Sequence, residues 1–400
     1  MPALAQRLSR VKVAATVQMT IKARALRAAG HNVIALTIGE PNFDSPRHAI
    51  EAGYQAALKG ETKYPPQDGT PALKQAIQRK FKRDHGLDYA LDEIMVGNGG
   101  KQVLYNAIMS TVDEGDEVIV PAPYWSAYVL MTKLMGGEPV IVSCPQNNGF
   151  KLRPEDLEAA ITPKTKLVML NYPNNPTGAA PSEAELRAIA DVMLRHPHVW
   201  IICDDMYEHL VYGDFKHTTL AQLEPRLRDR TVTISGVSKT YAMTGWRIGF
   251  AGGPKELIRA MVNMQGQATA GVSSVGQAAA TAALDGPQDV VEEMRAQYHR
   301  RRDLVVDALN AMPGIACHRP EGAFYVYPNI AGCLGRTTPA GKRIETDEDF
   351  AMACLEEAHV ALVAGVAFGM SPYLRISYAT DDASLEEAMR RLGAFVASLA

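Results

Sequence analysis

The feature that most constrains the fold of this 400-residue chain lies between Asp92 and Ser235, where short runs of β-branched apolar residues alternate with longer amphipathic stretches. Strands joined by crossover helices in a parallel sheet produce such an alternation. The predicted strands are Glu93–Val96, Glu117–Val120, Pro139–Val142, Leu167–Leu170, Val199–Cys203 and Thr231–Ile234. The helices predicted between them are Lys101–Thr111, Ser126–Leu134, Pro154–Ile161 and Ser182–Leu194. The chain is therefore predicted to have an α/β fold with a large, mostly parallel sheet.

After about Gly286 the pattern becomes that of a smaller α+β domain. It predicts helices over Val290–Leu309 and Ser384–Leu399, and strands over Gly322–Tyr327 and Tyr373–Tyr378. A hydrophobic content of 47% is enough to bury the cores of two domains. We expect residues 1–45 to pack with the small domain, residues 46–285 to form the large domain and residues 286–400 the small C-terminal domain.

Composition and charge argue against several classes of function. The formal net charge is −3 with both signs interspersed, so no nucleic-acid partner is expected. No apolar run is long enough for a membrane span, and the first residues lack the apolar core of a signal peptide, which favours a cytoplasmic location. The five cysteines show no zinc or disulfide spacing, and of the histidines only His196 and His198 are close together, so no metal site is expected.

Ligands of open α/β sheets collect beyond the carboxyl ends of the strands. Four motif-bearing loops follow strands there: Gly97–Lys101, Asn171–Gly178, Asp204–Tyr207 and Gly236–Lys239. We therefore expect the functional site to combine these loops.

Lys239 stands just after a predicted buried strand, and Arg247 follows eight residues later. A lysine in this position can form an imine with an aldehyde cofactor, and an arginine fork can hold a phosphate dianion. Taken alone, such a lysine is more often a solvated surface residue. The neighbouring motifs favour the catalytic interpretation.

Asp204 ends the apolar strand before Asp205-Met206-Tyr207. It could cap a helix or bind a metal, although no histidine stands nearby. With pyridoxal phosphate as cofactor, an aspartate is needed to keep the pyridine nitrogen protonated, and Asp204 and Tyr207 are spaced to reach that nitrogen and the phenolate oxygen. Asp205 should face the other way, because neighbours in an extended segment alternate.

Two further loops suit such a cofactor. The Asn174–Gly178 loop could be a simple tight turn, but an asparagine amide on it can donate to the phenolate oxygen. The segment Gly97–Lys101 opens a helix whose backbone N–H groups suit a phosphate. It lacks the pattern of a nucleotide triphosphate loop, because Met95 and Gln102 occupy required positions.

Eight motifs in order give the chain a resemblance that covers essentially its whole length. It resembles the class I aminotransferases, in the 1β branch of aspartate aminotransferases that includes bifunctional aspartate/prephenate aminotransferases. The motifs are Ile38-Gly-Glu-Pro-Asn-Phe-Asp, Lys63-Tyr64-Pro, Pro123-Tyr-Trp125, Asn175-Pro-Thr-Gly, Asp204-Asp-Met-Tyr207, Ser238-Lys239, Gly245-Trp-Arg247-Ile-Gly and Tyr373-Leu-Arg375-Ile-Ser-Tyr.

The resemblance implies a fold-type I transferase that binds pyridoxal 5'-phosphate and forms a homodimer with shared active sites. It implies that Lys239 carries the cofactor as a Schiff base and that Asp204 pairs with the pyridine nitrogen. The phenolate oxygen would be contacted by Tyr207 and Asn175, and Trp125 would stack on the ring. The residues implied to hold the phosphate are Gly99, Gly100, Lys101, Arg247 and Tyr64 of the neighbouring subunit.

On the substrate side, the resemblance implies that Arg375 binds the α-carboxylate with help from the Gly39 N–H, beside Trp125 and Asn175. A dicarboxylic substrate needs a second cation, and no arginine occurs in Met264–Gln277, the segment that supplies one in other branches. Lys101 and Lys12 are the candidates, and Lys12 matches the position associated with prephenate. Both could also be ordinary exposed lysines.

The predicted activity is a ping-pong transfer of an amino group between L-aspartate or L-glutamate and a 2-oxo acid such as 2-oxoglutarate or oxaloacetate, with prephenate as a further acceptor to be tested. Alternatives are an aminotransferase for aromatic or alanine-like amino acids, and a C–S lyase or decarboxylase on the same scaffold. A ligand-sensing module of a transcription regulator is a rival outside the enzymes, but it needs an additional DNA-binding segment.

Overall fold

A computed structural model describes residues 4–11 and 15–400 of the chain. Its strands are β1 (Ile34–Ala35), β2 (Ile94–Asn98), β3 (Glu117–Ala122), β4 (Glu138–Ser143), β5 (Thr165–Asn171), β6 (Trp200–Asp204), β7 (Thr231–Gly236), β8 (Ile248–Gly252), β9 (Tyr325–Val326), β10 (Val360–Ala361), β11 (Val363–Ala364) and β12 (Leu374–Ser377). Its α-helices are α1 (Ala15–Ala28), α2 (Arg47–Leu58), α3 (Pro71–His85), α4 (Gly100–Thr111), α5 (Ala127–Leu134), α6 (Pro154–Ala160), α7 (Glu183–Arg195), α8 (Leu220–Leu223), α9 (Val237–Thr240), α10 (Lys255–Ala268), α11 (Ser274–Asp285), α12 (Asp289–Asn310), α13 (Asp347–Ala353) and α14 (Asp382–Ala397).

The large domain is built on a seven-stranded sheet of order β2-β8-β7-β6-β5-β3-β4. Strand β8 pairs antiparallel with both β2 and β7, and the other pairings are parallel. The six predicted strands and the four predicted helices of this region are confirmed. The alternation did not reveal β8, since this short strand is rich in glycine and alanine and is not preceded by a crossover helix.

Helices cover both faces of this sheet, so its central strands are buried on both sides. In β5, Val168 and Leu170 face one core and Met169 faces the other. Helix α7 illustrates how a covering helix begins. Ser182 Oγ accepts a hydrogen bond from Glu185 N, and the Glu185 carboxylate accepts one from Ser182 N at 2.7 Å, which satisfies two backbone donors that would otherwise lack partners.

The small domain contains the antiparallel sheet β11-β12-β9, with α12 and α14 packed around one apolar core. The prediction of a strand over the whole of Gly322–Tyr327 was wrong in extent, because only β9 is extended. Ala323 adopts a left-handed φ of 58°, and Gly322 N donates instead to Gly178 O of the large domain at 2.9 Å. This stretch therefore leaves the sheet in order to join the two domains.

The N-terminal segment packs on the small domain. Strand β1 pairs in parallel with β10, and Met19 and Ala23 of α1 are buried in the small-domain core. We therefore propose domain boundaries near residues 45 and 285. No helix in the described part of the chain is sufficiently long and apolar to cross a membrane.

Candidate active site

The candidate site lies at the edge of the large sheet where the parallel strands end. Strand β2 runs in the same sense as β7, because both are antiparallel to β8. The residues that follow β2, β5, β6 and β7 therefore meet at one edge. The antiparallel β8 brings its amino end to the same edge, which places Arg247, one residue before it, among the other site residues.

A cavity of about 600 Å³ opens at this edge. Its walls come from the N-terminal segment, the large domain and the small domain. The lining residues are Ile21, Arg24, Thr37, Ile38, Gly39, Gly100, Lys101, Leu104, Trp125, Tyr128, Asn171, Asn175, Asp204, Met206, Tyr207, Ser238, Lys239, Arg247, Tyr325 and Arg375.

Lys239 projects into this cavity from the short helix α9. Its Nζ donates a hydrogen bond to Gly39 O at 2.7 Å. Burial lowers the pKa of the Lys239 amine to about 8, and Arg247 and Arg375 contribute to the lowering, whereas Glu40 opposes it. A lysine with such a depressed pKa is available as a neutral nucleophile and base far more often than an exposed one.

Asp204 lies at the buried floor of the cavity. Its carboxylate accepts a hydrogen bond from Tyr128 Oη at 2.6 Å and one from Met206 N at 3.3 Å. Burial raises the pKa of Asp204 to about 6, with the hydrogen bond from Tyr128 opposing the rise. The carboxylate makes no ion pair within the described chain. A cationic group in the cavity would therefore stabilise the Asp204 carboxylate, and a protonated pyridine nitrogen is such a group.

Asp205 faces away from the cavity, as the alternation predicts. Its carboxylate lies 3.5 Å from His217 Nε2 in the interior. The two neighbouring aspartates therefore lie in different environments, Asp204 in the cavity and Asp205 beside His217 in the interior.

Arg375 forms another wall of the cavity and is buried. Its Nη2 donates to Thr37 O at 2.6 Å and its Nη1 to Asn175 Oδ1 at 3.0 Å, while the Tyr325 and Phe368 rings each lie 4.8 Å from the guanidinium. Arg375 Nε is buried without a partner in the described chain. A buried guanidinium with a free donor is suited to receiving a carboxylate.

A chain of polar contacts ties these walls together. Tyr207 Oη and Tyr325 Oη lie 2.9 Å apart. Asn171 joins two loops, because its Oδ1 accepts from Asn175 N at 2.9 Å and its Nδ2 donates to Asp204 O at 2.8 Å. The loop of Asn175 is thereby fixed relative to Asp204.

An anion-binding cradle forms one end of the cavity. Helix α4 begins at Gly100, after Gly99 with its left-handed φ of 79°. A side chain on Gly99 would collide with the Arg247 guanidinium, so glycine is required for this close approach. Arg247 is exposed and donates to Thr244 O at 2.9 Å and to Asn98 O at 3.2 Å. Backbone N–H groups at a helix start beside an arginine suit a phosphate.

Lys101 and Trp125 stand next to this cradle. Lys101 Nζ lies 4.9 Å from the centroid of the Trp125 ring. Burial and the neighbouring Arg247 lower the pKa of Lys101. The Trp125 ring packs edge-on against Tyr128, at 5.5 Å between centroids, and its position is fixed by that contact.

The structure brings most of the predicted site residues together around one cavity. Gly99 does not line the cavity itself but lies directly behind Arg247. Tyr64 is 93% exposed and is not part of the cavity of its own chain. Lys12 lies outside the described residues. Within the described residues, no cluster of three or more histidine, cysteine or acidic side chains could hold a metal ion.

Sequence reasoning missed several residues of the site. Asn171 carried a usable signal, since it is a polar residue that ends an apolar strand in register with Asp204. Tyr128, Tyr325, Ile21 and Arg24 carried none, because each belongs to an ordinary apolar or amphipathic pattern and reaches the cavity only through tertiary packing.

Comparison with known proteins is consistent with this geometry. Residues 31–392 match the family model of the class I and II aminotransferases. The chain is 55% identical to the aspartate/prephenate aminotransferase of Cereibacter sphaeroides, over 99% of both chains. The aspartate aminotransferase structure from Rhizobium meliloti superposes with a TM-score of 0.98 at 53% identity, covering both chains fully. The aspartate aminotransferase of Thermus thermophilus, solved with maleate, has a TM-score of 0.92 at 39% identity and covers 99% of this chain and 100% of its own. The chain belongs to the class I and II aminotransferases.

Proposed function

We propose that this aminotransferase exchanges an amino group between L-aspartate or L-glutamate and a 2-oxo acid such as 2-oxoglutarate or oxaloacetate, with pyridoxal 5'-phosphate as its cofactor. The observation that carries the proposal is the placement of three groups around one cavity: the amine of Lys239, the buried carboxylate of Asp204 and the partly free guanidinium of Arg375. Amino transfer at an α-carbon needs a base, an electron sink and a group that anchors the α-carboxylate. Lys239 would be the base, Asp204 would support the electron sink of the cofactor ring, and Arg375 would anchor the carboxylate.

The residues present fit the cofactor. Asp204 would pair with its ring nitrogen, which supplies the cation that this buried carboxylate lacks. Trp125 would cover a face of the ring, and Tyr207 and Asn175 would contact the phenolate oxygen. The phosphate would be held by Arg247 and by the backbone of Gly99, Gly100 and Lys101.

When bound, pyridoxal phosphate supplies an aldehyde carbon that exchanges one amine partner for another and a ring that takes up the electron pair left at Cα. Arg375 binds the α-carboxylate of the substrate and so directs Cα toward Lys239. The Lys239 amine, whose pKa is lowered to about 8, would take up the proton from Cα as a base and release it again as an acid, and so would carry the proton in the reaction. Gly39 O, which accepts from Lys239 Nζ in the present arrangement, orients this amine.

Preference for a dicarboxylic substrate rests on a cation for the second carboxylate. Lys101 is the described candidate, since it lines the cavity beside Trp125. Lys12 remains a proposal from the sequence. The names of the relatives from Rhizobium meliloti and Cereibacter sphaeroides, together with the maleate in the Thermus thermophilus structure, support a dicarboxylate.

Prephenate is a second candidate acceptor, and its support is the name of the Cereibacter sphaeroides relative at 55% identity. It contains a second carboxylate, so it would make use of the same cations. A complete transamination with prephenate as acceptor and aspartate or glutamate as donor tests this candidate separately from the main proposal.

The main test is a coupled assay of the purified holoenzyme with aspartate and 2-oxoglutarate. We expect formation of glutamate and oxaloacetate, with alanine and phenylalanine as poorer donors. A C–S lyase would instead release pyruvate from a β-thio amino acid without any 2-oxo acid acceptor. Acceptor-independent product formation, with no amino transfer, would overturn the proposal.

We also propose a homodimer. Ile50, Tyr54 and Leu58 form an exposed apolar stripe at four-residue spacing along α2, with side chains 45%, 57% and 63% exposed. An apolar surface of this kind indicates a protein contact. In such a dimer the exposed Tyr64, which follows α2, would be free to reach the phosphate of the partner's site.

Light scattering tests the homodimer. The wild type should have twice the chain mass, and Tyr54→Glu should dissociate it. The control is Ile141→Glu. Ile141 is an exposed residue of β4, the edge strand at the opposite end of the sheet from β2, and this variant should remain dimeric. Dissociation by the control alone would place the interface elsewhere.

A cytoplasmic location is part of the same proposal. All five cysteines are free and buried in the structure. Unpaired buried thiols are typical of proteins that work in reducing compartments.

A further inference from the structure

The cavity has an unusual balance of charge. Five of its described lining residues are basic and only Asp204 is acidic. The bases are Arg24, Lys101, Lys239, Arg247 and Arg375. Among the described lining residues the bases therefore outnumber the acids by four.

Three of the five bases have roles in the proposed function, on which this inference rests. Lys239 is the reacting amine, Arg247 belongs to the phosphate cradle and Arg375 binds the α-carboxylate. Lys101 is the candidate already proposed for the second carboxylate of the substrate. Arg24 is the one base among the described lining residues that has no assigned partner, and a dicarboxylic substrate would bring an anion for it.

Lys101 lines the cavity at the start of α4, beside the phosphate cradle. A phosphate bound in the cradle would therefore share the positive charge of Lys101 with the substrate.

Arg24 reaches the cavity from a different wall. It extends from α1 and lines the same cavity as Thr37 and Gly39, whose carbonyl oxygens accept from Arg375 and Lys239 respectively. A substrate held by Arg375 and Lys239 would therefore share this cavity with Arg24.

The other cations of α1 are directed elsewhere. Lys22 Nζ contacts Met352 Sδ at 3.5 Å, and Arg27 Nε donates to Val33 O at 2.9 Å. Arg24 is exposed and has no hydrogen-bond partner in the described part of the chain. Ile21, three residues earlier, lines the cavity on the same face of the helix and offers an apolar contact beside it.

We propose that Arg24 is a specificity-determining residue that binds the second carboxylate of a dicarboxylic substrate, together with Lys101. The planar guanidinium can engage both oxygens of that carboxylate, which an ammonium group cannot do. Ile21 then covers the methylene groups between the two carboxylates. Arg24 sits on a helix of the N-terminal segment, so substrate choice is made by a part of the chain outside the sheet that carries the chemistry.

The test compares Arg24→Met and Arg24→Lys with Lys22→Met, a matched control on the same helix. In the holoenzyme, Arg24→Met should raise KM for aspartate about tenfold, with little change in kcat, because one charge-assisted contact is lost in ground state and transition state alike. Use of alanine should be unchanged. Arg24→Lys should recover part of the aspartate preference, and Lys22→Met should behave as the wild type.

A binding measurement separates this role from effects on turnover. Calorimetric titration of the holoenzyme with succinate, which has two carboxylates and no amino group, should show about tenfold weaker binding in Arg24→Met. Titration with butyrate, which has one carboxylate, should show no difference between the variants.

Two results would overturn the inference. One is an aspartate-to-alanine preference and a succinate affinity in Arg24→Met that match the wild type. The other is an equal loss for aspartate and alanine, which would mean that the variant disturbs α1 as a whole. If the wild type itself transfers amino groups without favouring aspartate, the proposed substrate class fails along with this inference, and the wild-type assay alone reveals it.

Discussion

The floor and the mouth of the cavity are built in opposite ways. At the floor, Asp204 and Tyr128 are 4% and 2% exposed and bond to each other at the edge of the large sheet. At the mouth, Ile21 and Ile38 are 59% and 47% exposed and belong to the N-terminal segment. Charges at the floor are desolvated and fixed in position, so their electrostatic interactions are strong. Charges at the mouth are screened by water, so their interactions are weaker. Under the proposed function, the floor would supply the chemistry of amino transfer and the mouth would select the substrate.

The largest expected effect is at the floor. Lys239→Ala removes both the attachment point of the cofactor and the proton carrier, so turnover should fall by about 10³-fold or more. The cofactor should still be retained in part, through the cradle and Trp125. Steady-state assays and the visible absorbance of the purified variant measure the two effects, with Lys255→Ala, an exposed lysine of α10, as control. Turnover like that of the wild type would remove the basis of the proposed mechanism.

The next largest effect distinguishes Asp204 at the floor from its neighbour Asp205 in the interior. Asp204→Ala should lower kcat by about 10²-fold or more, because the ring nitrogen loses the carboxylate that keeps it protonated. Asp205→Asn should be much milder, since Asp205 faces His217 in the interior. Rates of the first half-reaction with aspartate measure both. Equal losses would mean that the wrong aspartate is assigned to the cofactor.

The floor should also make the cofactor-free protein sensitive to pH. The pKa of Asp204 is raised from 3.8 to about 6, so between these values the folded chain holds a proton that the unfolded chain releases. The stability that this proton contributes is present below about pH 4 and is lost as the pH rises through 6, amounting to about 3 kcal/mol at most.

Denaturant unfolding of cofactor-free wild type and Asp204→Asn between pH 4 and 6 measures this loss. The wild type should become less stable relative to the variant as the pH rises. Added pyridoxal phosphate should reduce the loss, because a cationic ring nitrogen would stabilise the ionised carboxylate. A difference in stability that is constant with pH would contradict the account of the floor.

The smallest effect is expected at the exposed Lys101, which lies next to the phosphate cradle and away from the floor. Lys101→Ala should lower kcat/KM for aspartate about tenfold, with little change for alanine, since the lysine is exposed and partly screened. Added salt should reduce the wild-type preference for aspartate toward that of the variant. An unchanged aspartate-to-alanine ratio would remove Lys101 from substrate selection and leave Arg24 as the remaining described cation.

The sequence predicted the large sheet because each buried parallel strand leaves a local apolar run, and these runs have little tolerance for polar residues. It did not predict the length of β9, where Ala323 leaves the extended conformation to satisfy hydrogen bonds with the large domain. Local propensity favours a strand there, but the contact between domains decides the backbone.

The sequence by itself determined the alternation of strands and helices in the large domain and the loops that carry Lys239, Asp204 and Arg247. The end of a strand and a charged residue close to it are both visible in a short stretch of sequence. Only the tertiary structure decided that Tyr128 bonds to Asp204, that Tyr325 and Asn175 hold Tyr207 and Arg375, and that Arg24 faces the cavity. The three hydrogen bonds join residues that lie 76, 118 and 200 positions apart in the chain, and no periodicity within one segment records which distant segment packs against it.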